Sequence, residues 1–197
     1  MNAPNTFLTQ YKTKIESLLK FVSLLLPLVF VALLFIDTGL TWEYSTVLGK
    51  VTFALLVIIL FVPLLAKVMT TWTILTTITS YRKYLGILSF SAIVVHSLGH
   101  FYIQRSLLDL SYVPTSFVFW GTLGFACMAI LGLTSNSFAK ERFGIWWFRL
   151  HKLTYVAFYA ALVHIVLVEQ QYGLILLGIA LPILYYFANI RNKSRAS

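Results

Sequence analysis

The stretch WWFRLHKLTYVAFYAALVHIVLV, residues 146–168, decides how the rest of the chain is interpreted. It is apolar enough to lie in a lipid bilayer, yet it contains two histidines, His151 and His164, thirteen residues apart. Thirteen residues of helix advance about 20 Å along the axis and turn about 220° beyond whole turns. The two imidazoles therefore mark two depths in a membrane and do not form one local cluster.

Histidines at membrane depth indicate a functional site. Ionisable side chains inside a bilayer are costly to keep there and are functional candidates by default. Imidazole is also a common axial ligand of haem iron. A helix that offers imidazole at two levels therefore suggests a path for electrons across the membrane.

The composition excludes an ordinary soluble domain and a disordered chain. Of the 197 residues, 59% are hydrophobic and only 11% are charged. The single cysteine, Cys127, allows no intrachain disulfide and no CxxC motif, so cysteine usage does not indicate a redox compartment. The net charge of +9 comes from basic residues at the ends of apolar runs, a pattern typical of membrane topology. No nucleic-acid partner is expected.

The apolar runs predict an all-α integral membrane protein, a bundle of six transmembrane helices. Each run is near the roughly 20 residues that cross about 30 Å of hydrocarbon. Short loops, such as residues 70–83 and 104–116, connect them. The predicted spans are residues 18–36, 47–66, 84–103, 117–134, 146–168 and 172–190.

The predicted organisation has three parts. Residues 1–17 form a cytoplasmic or interfacial N-terminal segment, residues 18–190 the six-helix domain, and residues 191–197 a basic cytoplasmic tail. The first apolar run is long and lacks a small-residue cleavage motif, which indicates a retained span and not a signal peptide.

The basic residues predict the orientation of the spans. With six spans both termini lie on one side, and that side holds thirteen of the 15 lysines and arginines. Because basic residues are enriched in cytoplasmic loops, both termini are predicted to be cytoplasmic (N-in, C-in). The inner set is Lys12, Lys14, Lys20, Lys67, Arg82, Lys83, Lys140, Arg142, Arg149, Lys152, Arg191, Lys193 and Arg195; the outer side has Lys50, Arg105, Asp37, Glu43, Asp109 and Glu169.

The third and fifth spans both run from inside to outside, so the depths of their histidines can be compared. Counting about 1.5 Å per residue puts His96 about 18 Å from the inner boundary and both His100 and His164 about 24 Å from it. His164 is therefore expected to meet a histidine of the third span in the outer half. His151 lies about 5 Å from the inner boundary, with no histidine opposite; the residue thirteen positions before His96 is Lys83.

A histidine pair on facing helices, with no carboxylate at the same depth, suits low-spin haem b. We expect His96 and His164 to be its axial ligands, and the alternative for each is an interhelical hydrogen bond to Ser or Thr. Zinc would need more Cys, Asp or Glu ligands, and a proton relay usually includes intramembrane acids.

The other two histidines keep more alternatives open. His100 lies one turn from His96 on the same face. It is predicted to be the ligand itself, a hydrogen-bond partner of a haem propionate, or a side chain that extends to water. His151 is predicted either to ligate a second, inner haem or to be an interfacial histidine between Arg149 and Lys152.

Two segments resemble the MsrQ (YedZ) family, the haem-binding membrane subunits of periplasmic methionine sulfoxide reductase systems. The first is YRKYLGILSFSAIVVHSLGHFY, residues 81–102. The second is LGLTSNSFAKERFGIWWFRLHKLTYVAFYAALVHIVLV, residues 131–168, with LTS, a basic loop and W-x₃-LHKLxY. A weaker similarity covers LGKVTFALL and VPLLAK in the second span.

This resemblance implies a six-helix protein of the ferric-reductase-like transmembrane class. Such proteins carry haem b, one or two per chain, and FMN and quinone are further cofactors that the resemblance allows. His96, His151 and His164 match the family's three histidines. His100 departs from it, since an aromatic residue is expected there, and Lys83 leaves an inner haem without an obvious axial pair.

The function that the resemblance implies is that of an electron-transfer subunit of an oxidoreductase complex, multi-pass in the bacterial inner membrane. Electrons would pass from a cytoplasmic flavin reductase or quinol to a periplasmic, MsrP-like molybdopterin reductase that repairs oxidised methionine. One alternative is a transmembrane reductase that reduces ferric or cupric ions, or oxygen, directly at the outer haem. Another is a non-redox haem carrier or sensor.

Overall fold

The computed structural model describes residues 6–36, 38–104 and 116–196, and these residues form helices joined by short turns. A 3₁₀ turn, Tyr172–Leu174, precedes the last helix. The helices are α1 (Thr6–Leu34), α2 (Thr38–Val68), α3 (Thr73–Ser80), α4 (Arg82–Gln104), α5 (Phe117–Leu133), α6 (Ser137–Phe143), α7 (Ile145–Leu150), α8 (Leu153–Glu169) and α9 (Ile175–Ala196).

The prediction of an all-α membrane bundle is confirmed. Within the described residues, five helical segments are long and apolar enough to cross a membrane. The pair α5 and α6 meets the same criterion when the two helices are taken together, but they are bent by 94° at their junction. The five segments are Tyr11–Leu33, Gly39–Val68, Arg82–Tyr102, Ile145–Glu169 and Tyr172–Arg191.

The first two helices are longer than the hydropathy pattern predicted. α1 begins at Thr6, so the described part of the predicted segment 1–17 continues into the first span without a break. α2 begins at Thr38, nine residues before the predicted start at 47. Thr41 and Ser45 are fully buried in this extension, so contacts with neighbouring helices maintain it where hydropathy is low.

Two connections that were predicted as loops contain helices. Residues 70–83 contain α3, whose Leu75 is buried, and the basic loop after the fourth span contains α6. The Asn136 side chain accepts a hydrogen bond from the Ala139 amide (2.8 Å) and so caps the start of α6. α6 ends at Phe143 and is followed by Gly144, whose φ of 52° suits glycine. The predicted loop 104–116 lies almost wholly outside the described residues, as do Asp37, Arg105 and Asp109.

The stretch 146–168 was predicted to be one continuous helix, and this prediction is wrong. α7 ends at Leu150 and α8 begins at Leu153. Across the break the amide of residue i bonds the carbonyl of residue i−3, as in Lys152 to Arg149 (3.1 Å). The Thr154 hydroxyl also bonds the His151 carbonyl at 2.8 Å. Backbone bonds between residues three apart are typical of a 3₁₀ turn, which advances farther per residue than an α-helix.

The bundle is built around α2. α2 packs along α4, and α5 packs along α8, while α1 and α9 cover α4 and α2. The largest fully buried side chain is Phe158 of α8, which stacks on Phe53 (ring centroids 5.9 Å apart) and meets Phe61 edge-on (6.0 Å). Polar contacts also join the helices: the Tyr44 hydroxyl donates to the Leu26 carbonyl at 3.1 Å.

Contacts in the structure join residues that the charge pattern assigned to the same side. Lys50 and Glu169, both predicted to be outer, form an ion pair with 2.9 Å between Nζ and Oε1. At the other end, the ammonium of Lys20, predicted to be inner, lies 5.2 Å from the centre of the ring of Tyr84, the predicted inner end of the third span. These two contacts agree with the predicted grouping of residues on one side or the other. The cytoplasmic position of the termini stays a prediction.

The Phe158→Ala substitution should destabilise the bundle because it leaves a cavity beside the rings of Phe53 and Phe61. We expect a loss toward the lower end of the about 3–5 kcal/mol typical of buried Phe→Ala, since lipid tails are as apolar as the core. Thermal unfolding in detergent measures it. The control is Phe187→Ala in α9, because Phe187 is 56% exposed. An equal loss in both variants would contradict the packing described.

Candidate functional site

Two histidines are held by main-chain carbonyls of neighbouring helices. His96 of α4 bonds the Ser45 carbonyl of α2 through Nδ1 (2.9 Å), and His164 of α8 bonds the Phe117 carbonyl at the start of α5 (2.8 Å). A carbonyl only accepts, so each Nδ1 carries the proton and donates it. Each Nε2 is therefore left with a free lone pair, the form in which a neutral imidazole binds a metal.

The two imidazoles face each other across the bundle. The ring centroids of His96 and His164 are 6.3 Å apart and the ring planes are inclined at 81°. This contact confirms the expectation that His164 meets a histidine of the third span. The ring of His100 lies 4.5 Å from that of His96, and Trp42 lies 4.5 Å beyond His100. The structure thus brings together three of the four histidines.

A cavity of about 620 Å³ opens beside these rings. Its walls come from α2, α4, α5 and α8, and apolar side chains such as Phe53, Leu56, Phe125 and Met128 make up most of the lining. Cavities of a few hundred cubic ångströms with mostly apolar walls and a few placed polar groups are typical ligand sites. The cavity can therefore hold a large, mainly apolar ligand between the imidazoles.

Two polar atoms of the cavity wall are buried without a partner among the described residues, the hydroxyl oxygen of Thr46 and Nε2 of His100. A buried polar group without a hydrogen bond costs about 1–3 kcal/mol. A comparable group of the same helix is bonded: the Thr52 hydroxyl donates to the Leu48 carbonyl at 2.9 Å. The two atoms therefore mark a part of the cavity suited to a polar group of a ligand.

An ion pair stands at the edge of the cavity. Besides Lys50, the Glu169 carboxylate binds Gln171, whose side-chain amide donates to Oε2 at 2.9 Å. Lys50 and Glu169 both line the cavity, and the Lys50 side chain is 61% exposed. The ion pair links α2 to the end of α8. The partly exposed Lys50 side chain could also contact an anionic group of a ligand in the cavity.

His151 lies apart from this cluster, at the other end of α8. Its ring stacks on Trp147 at 3.7 Å, and its Nδ1 bonds the Trp147 carbonyl at 3.0 Å. The Trp147 indole in turn donates to the Thr134 carbonyl (2.8 Å). His151 Nε2 is buried without a partner in the described part of the chain. The described residues offer no second imidazole facing it.

The contributions of α2 and α5 were not predicted from the sequence. The site was predicted to lie between the third and fifth spans. In the structure, Trp42, Thr46 and Lys50 of α2 form one wall, and the Ser45 and Phe117 carbonyls orient the rings. The glycines in LGK and WGTLG were the available signal, since they leave room beside a neighbouring helix. Within the described residues, His, Cys, Asp and Glu form no group of three or more suited to a bare metal ion.

The fold and site define a multi-pass α-helical membrane protein with paired intramembrane imidazoles. Residues 48–162 match the family described as ferric reductase like transmembrane component. That match covers more than half of the chain, and the chain belongs to this family.

The chain is also similar to curated bacterial proteins. The protein-methionine-sulfoxide reductase heme-binding subunits MsrQ of Brucella ovis, Brucella canis and Brucella suis are each 32% identical to it over 93 residues. This alignment covers 45% of the chain and 42% of each relative, less than half of either length. No solved structure matches the chain.

The unpartnered hydroxyl of Thr46 gives a stability test of the cavity. Thr46→Val should leave the free energy of unfolding of the ligand-free protein unchanged or raise it by up to about 1–3 kcal/mol, because no hydrogen bond is lost and the cost of an unpaired buried hydroxyl is removed. The matched change Thr52→Val in the same helix removes the bond to Leu48 and should cost about 1 kcal/mol. Thermal unfolding of protein produced without added haem compares them. A loss of stability in Thr46→Val as large as that in Thr52→Val would show that the Thr46 hydroxyl is already bonded.

Proposed function

We propose that this chain binds haem b in the cavity, with His96 and His164 as axial ligands, and carries electrons across the inner membrane. The observation that carries the proposal is the opposed pair of imidazoles, each with Nδ1 bonded to a carbonyl and Nε2 free. Bis-imidazole ligation requires this tautomer on both rings.

The separation of the rings supports haem ligation. Bonds from imidazole nitrogen to a metal are about 2.0–2.1 Å long, and the ring centroid lies about 1.1 Å beyond the bonding nitrogen. Two imidazoles on opposite sides of one metal ion therefore have centroids about 6.2–6.4 Å apart. The 6.3 Å between the centroids of His96 and His164 agrees with this separation.

The cavity wall also suits the edge of a porphyrin. Haem combines a flat apolar macrocycle with two carboxylates, and the wall combines apolar side chains with the unpartnered atoms of Thr46 and His100 and the exposed Lys50 ammonium. His100 fits a propionate partner better than an axial ligand, because His96 is the ring that faces His164. FMN or quinone binding is a further part of the proposal.

Haem b, when bound, supplies a one-electron carrier. The carbonyls of Ser45 and Phe117 fix both rings and, by accepting hydrogen bonds from Nδ1–H, make the imidazoles more basic donors. With both His96 and His164 bound to the iron, these residues would leave it no free coordination position for an external substrate. The pair therefore favours electron transfer over reduction of oxygen at the iron.

The partners are proposed from the relatives. Their name makes them heme-binding subunits of a protein-methionine-sulfoxide reductase, and we propose a periplasmic reductase of that kind, MsrP-like, as the acceptor. A cytoplasmic flavin reductase or quinol would be the donor. The described loops form no substrate domain, so the substrate would bind to the partner.

Replacing either proposed ligand should remove the haem. His96→Ala and His164→Ala should each lose the reduced-haem absorbance of the purified protein, because one axial nitrogen cannot hold a low-spin site. Haem per chain, measured as the pyridine haemochrome, gives the result. His151→Ala is the matched control for the outer site; a partial loss in it would indicate a second haem. An unaltered spectrum in either ligand variant would refute the assignment.

Reconstitution distinguishes the proposed acceptor from the alternatives. In proteoliposomes, NADH with a flavin reductase, or a quinol, should reduce the haem. A periplasmic methionine sulfoxide reductase supplied with methionine sulfoxide should then reoxidise it. Reoxidation by ferric or cupric salts alone at the same rate would favour a direct metal reductase. A haem that neither donor reduces would favour a carrier or sensor. His164→Ala serves as the inactive control.

A further inference from the structure

We propose that Gly49 and Gly121 are positioning residues, which with two main-chain carbonyls form matching seats for the imidazoles of His96 and His164. This inference rests on the proposed haem site and adds the elements that set the orientation of its ligands. Neither glycine bears a side chain that could touch the iron, so both would act through the histidines.

The two seats repeat one pattern on different helices. In α2 the carbonyl that accepts from His96 belongs to Ser45, and Gly49 follows four residues later. In α5 the carbonyl that accepts from His164 belongs to Phe117, and Gly121 again follows four residues later. Residues four apart lie one above the other on the same face of a helix. A ring that reaches the carbonyl therefore passes over the glycine.

The space above each glycine is taken by the imidazole. A Cβ at Gly49 would lie 2.6 Å from Nδ1 and 2.7 Å from Cε1 of His96. A Cβ at Gly121 would lie 2.9 Å from Nδ1 and 3.0 Å from Cε1 of His164. Cβ atoms in proteins essentially never approach other atoms more closely than 3.0 Å. Neither glycine has a positive φ, so the requirement is for room and not for backbone conformation.

Other glycines of the bundle show what ordinary helix packing looks like. A Cβ at Gly132 would collide with the Phe90 ring, and one at Gly178 would lie 2.8 Å from Leu162 Cδ2. Neither Gly132 nor Gly178 lines the cavity. The seats differ because the obstructed side chain is a proposed ligand, fixed through Nδ1 to a carbonyl and through Nε2 to the iron. Such a ring cannot swing aside as a free leucine can.

An added methyl group should alter the ligand field of the haem. It would push the ring from the carbonyl, which weakens the Nδ1 hydrogen bond and lowers the basicity of the imidazole. A poorer donor stabilises ferric iron less, so the midpoint potential should rise. The plane of the displaced ring should also turn, which changes the g values of the oxidised low-spin haem in electron paramagnetic resonance (EPR).

The test compares four alanine variants of the full chain purified with haem. Gly49→Ala and Gly121→Ala alter the seats. Gly132→Ala lies in the same helix as Gly121 and creates a clash with Phe90, a residue outside the cavity. Gly86→Ala lies in α4 with His96, where an added Cβ meets nothing within 4 Å. Haem per chain, the EPR g values and the midpoint potential are measured for each, with thermal stability alongside.

The expected result is a raised midpoint potential with altered g values in the seat variants, and wild-type values in Gly132→Ala and Gly86→Ala. Loss of haem from folded seat variants, with haem retained in Gly132→Ala, would equally support the seats. Wild-type potential and g values in the seat variants would overturn the inference, as would equal shifts in Gly132→Ala. If one seat variant does not fold, the other is decisive. Failure of the wild-type chain to bind haem would instead refute the proposed function.

Discussion

Hydrogen bonds from two imidazoles to helix carbonyls are the interactions on which the outer site depends. The Ser45 and Phe117 carbonyls already belong to helices, and each accepts one further bond from a histidine of the adjacent helix. These bonds fix the tautomer, the ring orientation and the partner helix at once. They also explain why the pairs α2 with α4 and α5 with α8 build the site, since each pair brings one imidazole and the backbone that holds it.

Most buried polar groups of the described residues have hydrogen-bond partners, and two of the exceptions lie in the cavity wall. In hydrocarbon no water is available, so polar groups must find partners within the protein. The described hydroxyls of the interior mostly do so: Ser23 bonds the Leu19 carbonyl at 2.7 Å and Thr154 that of His151. The hydroxyl of Thr46 and Nε2 of His100 and of His151 do not, and Thr46 and His100 line the cavity. A ligand in the cavity could offset the cost of leaving those two groups unpaired.

The contact between His164 and a histidine of the third span could be predicted from the sequence because the rise of a helix per residue is nearly constant. Counting from the basic ends of two spans put His100 and His164 at the same depth, and the structure places His96 opposite His164. The carbonyls could not be predicted, because every residue type carries one and only the packing selects which is used. The helices α3 and α6 were missed because they are too short for a hydropathy pattern, although Asn136 was a local capping signal. The break at His151 was missed because the residues around it are ordinary helix formers.

The two imidazoles belong to different helix pairs, and this arrangement has a consequence for residues remote from the site. The gap between the rings is not a property of α4 or α8 alone; it depends on how one pair stands against the other. The Lys50–Glu169 ion pair, which joins α2 to the end of α8, maintains that relation. A substitution that breaks this ion pair and shifts one helix pair would therefore change both of the proposed coordination bonds together. The absorbance spectrum of the proposed haem would in that way report on how the two helix pairs are packed against each other.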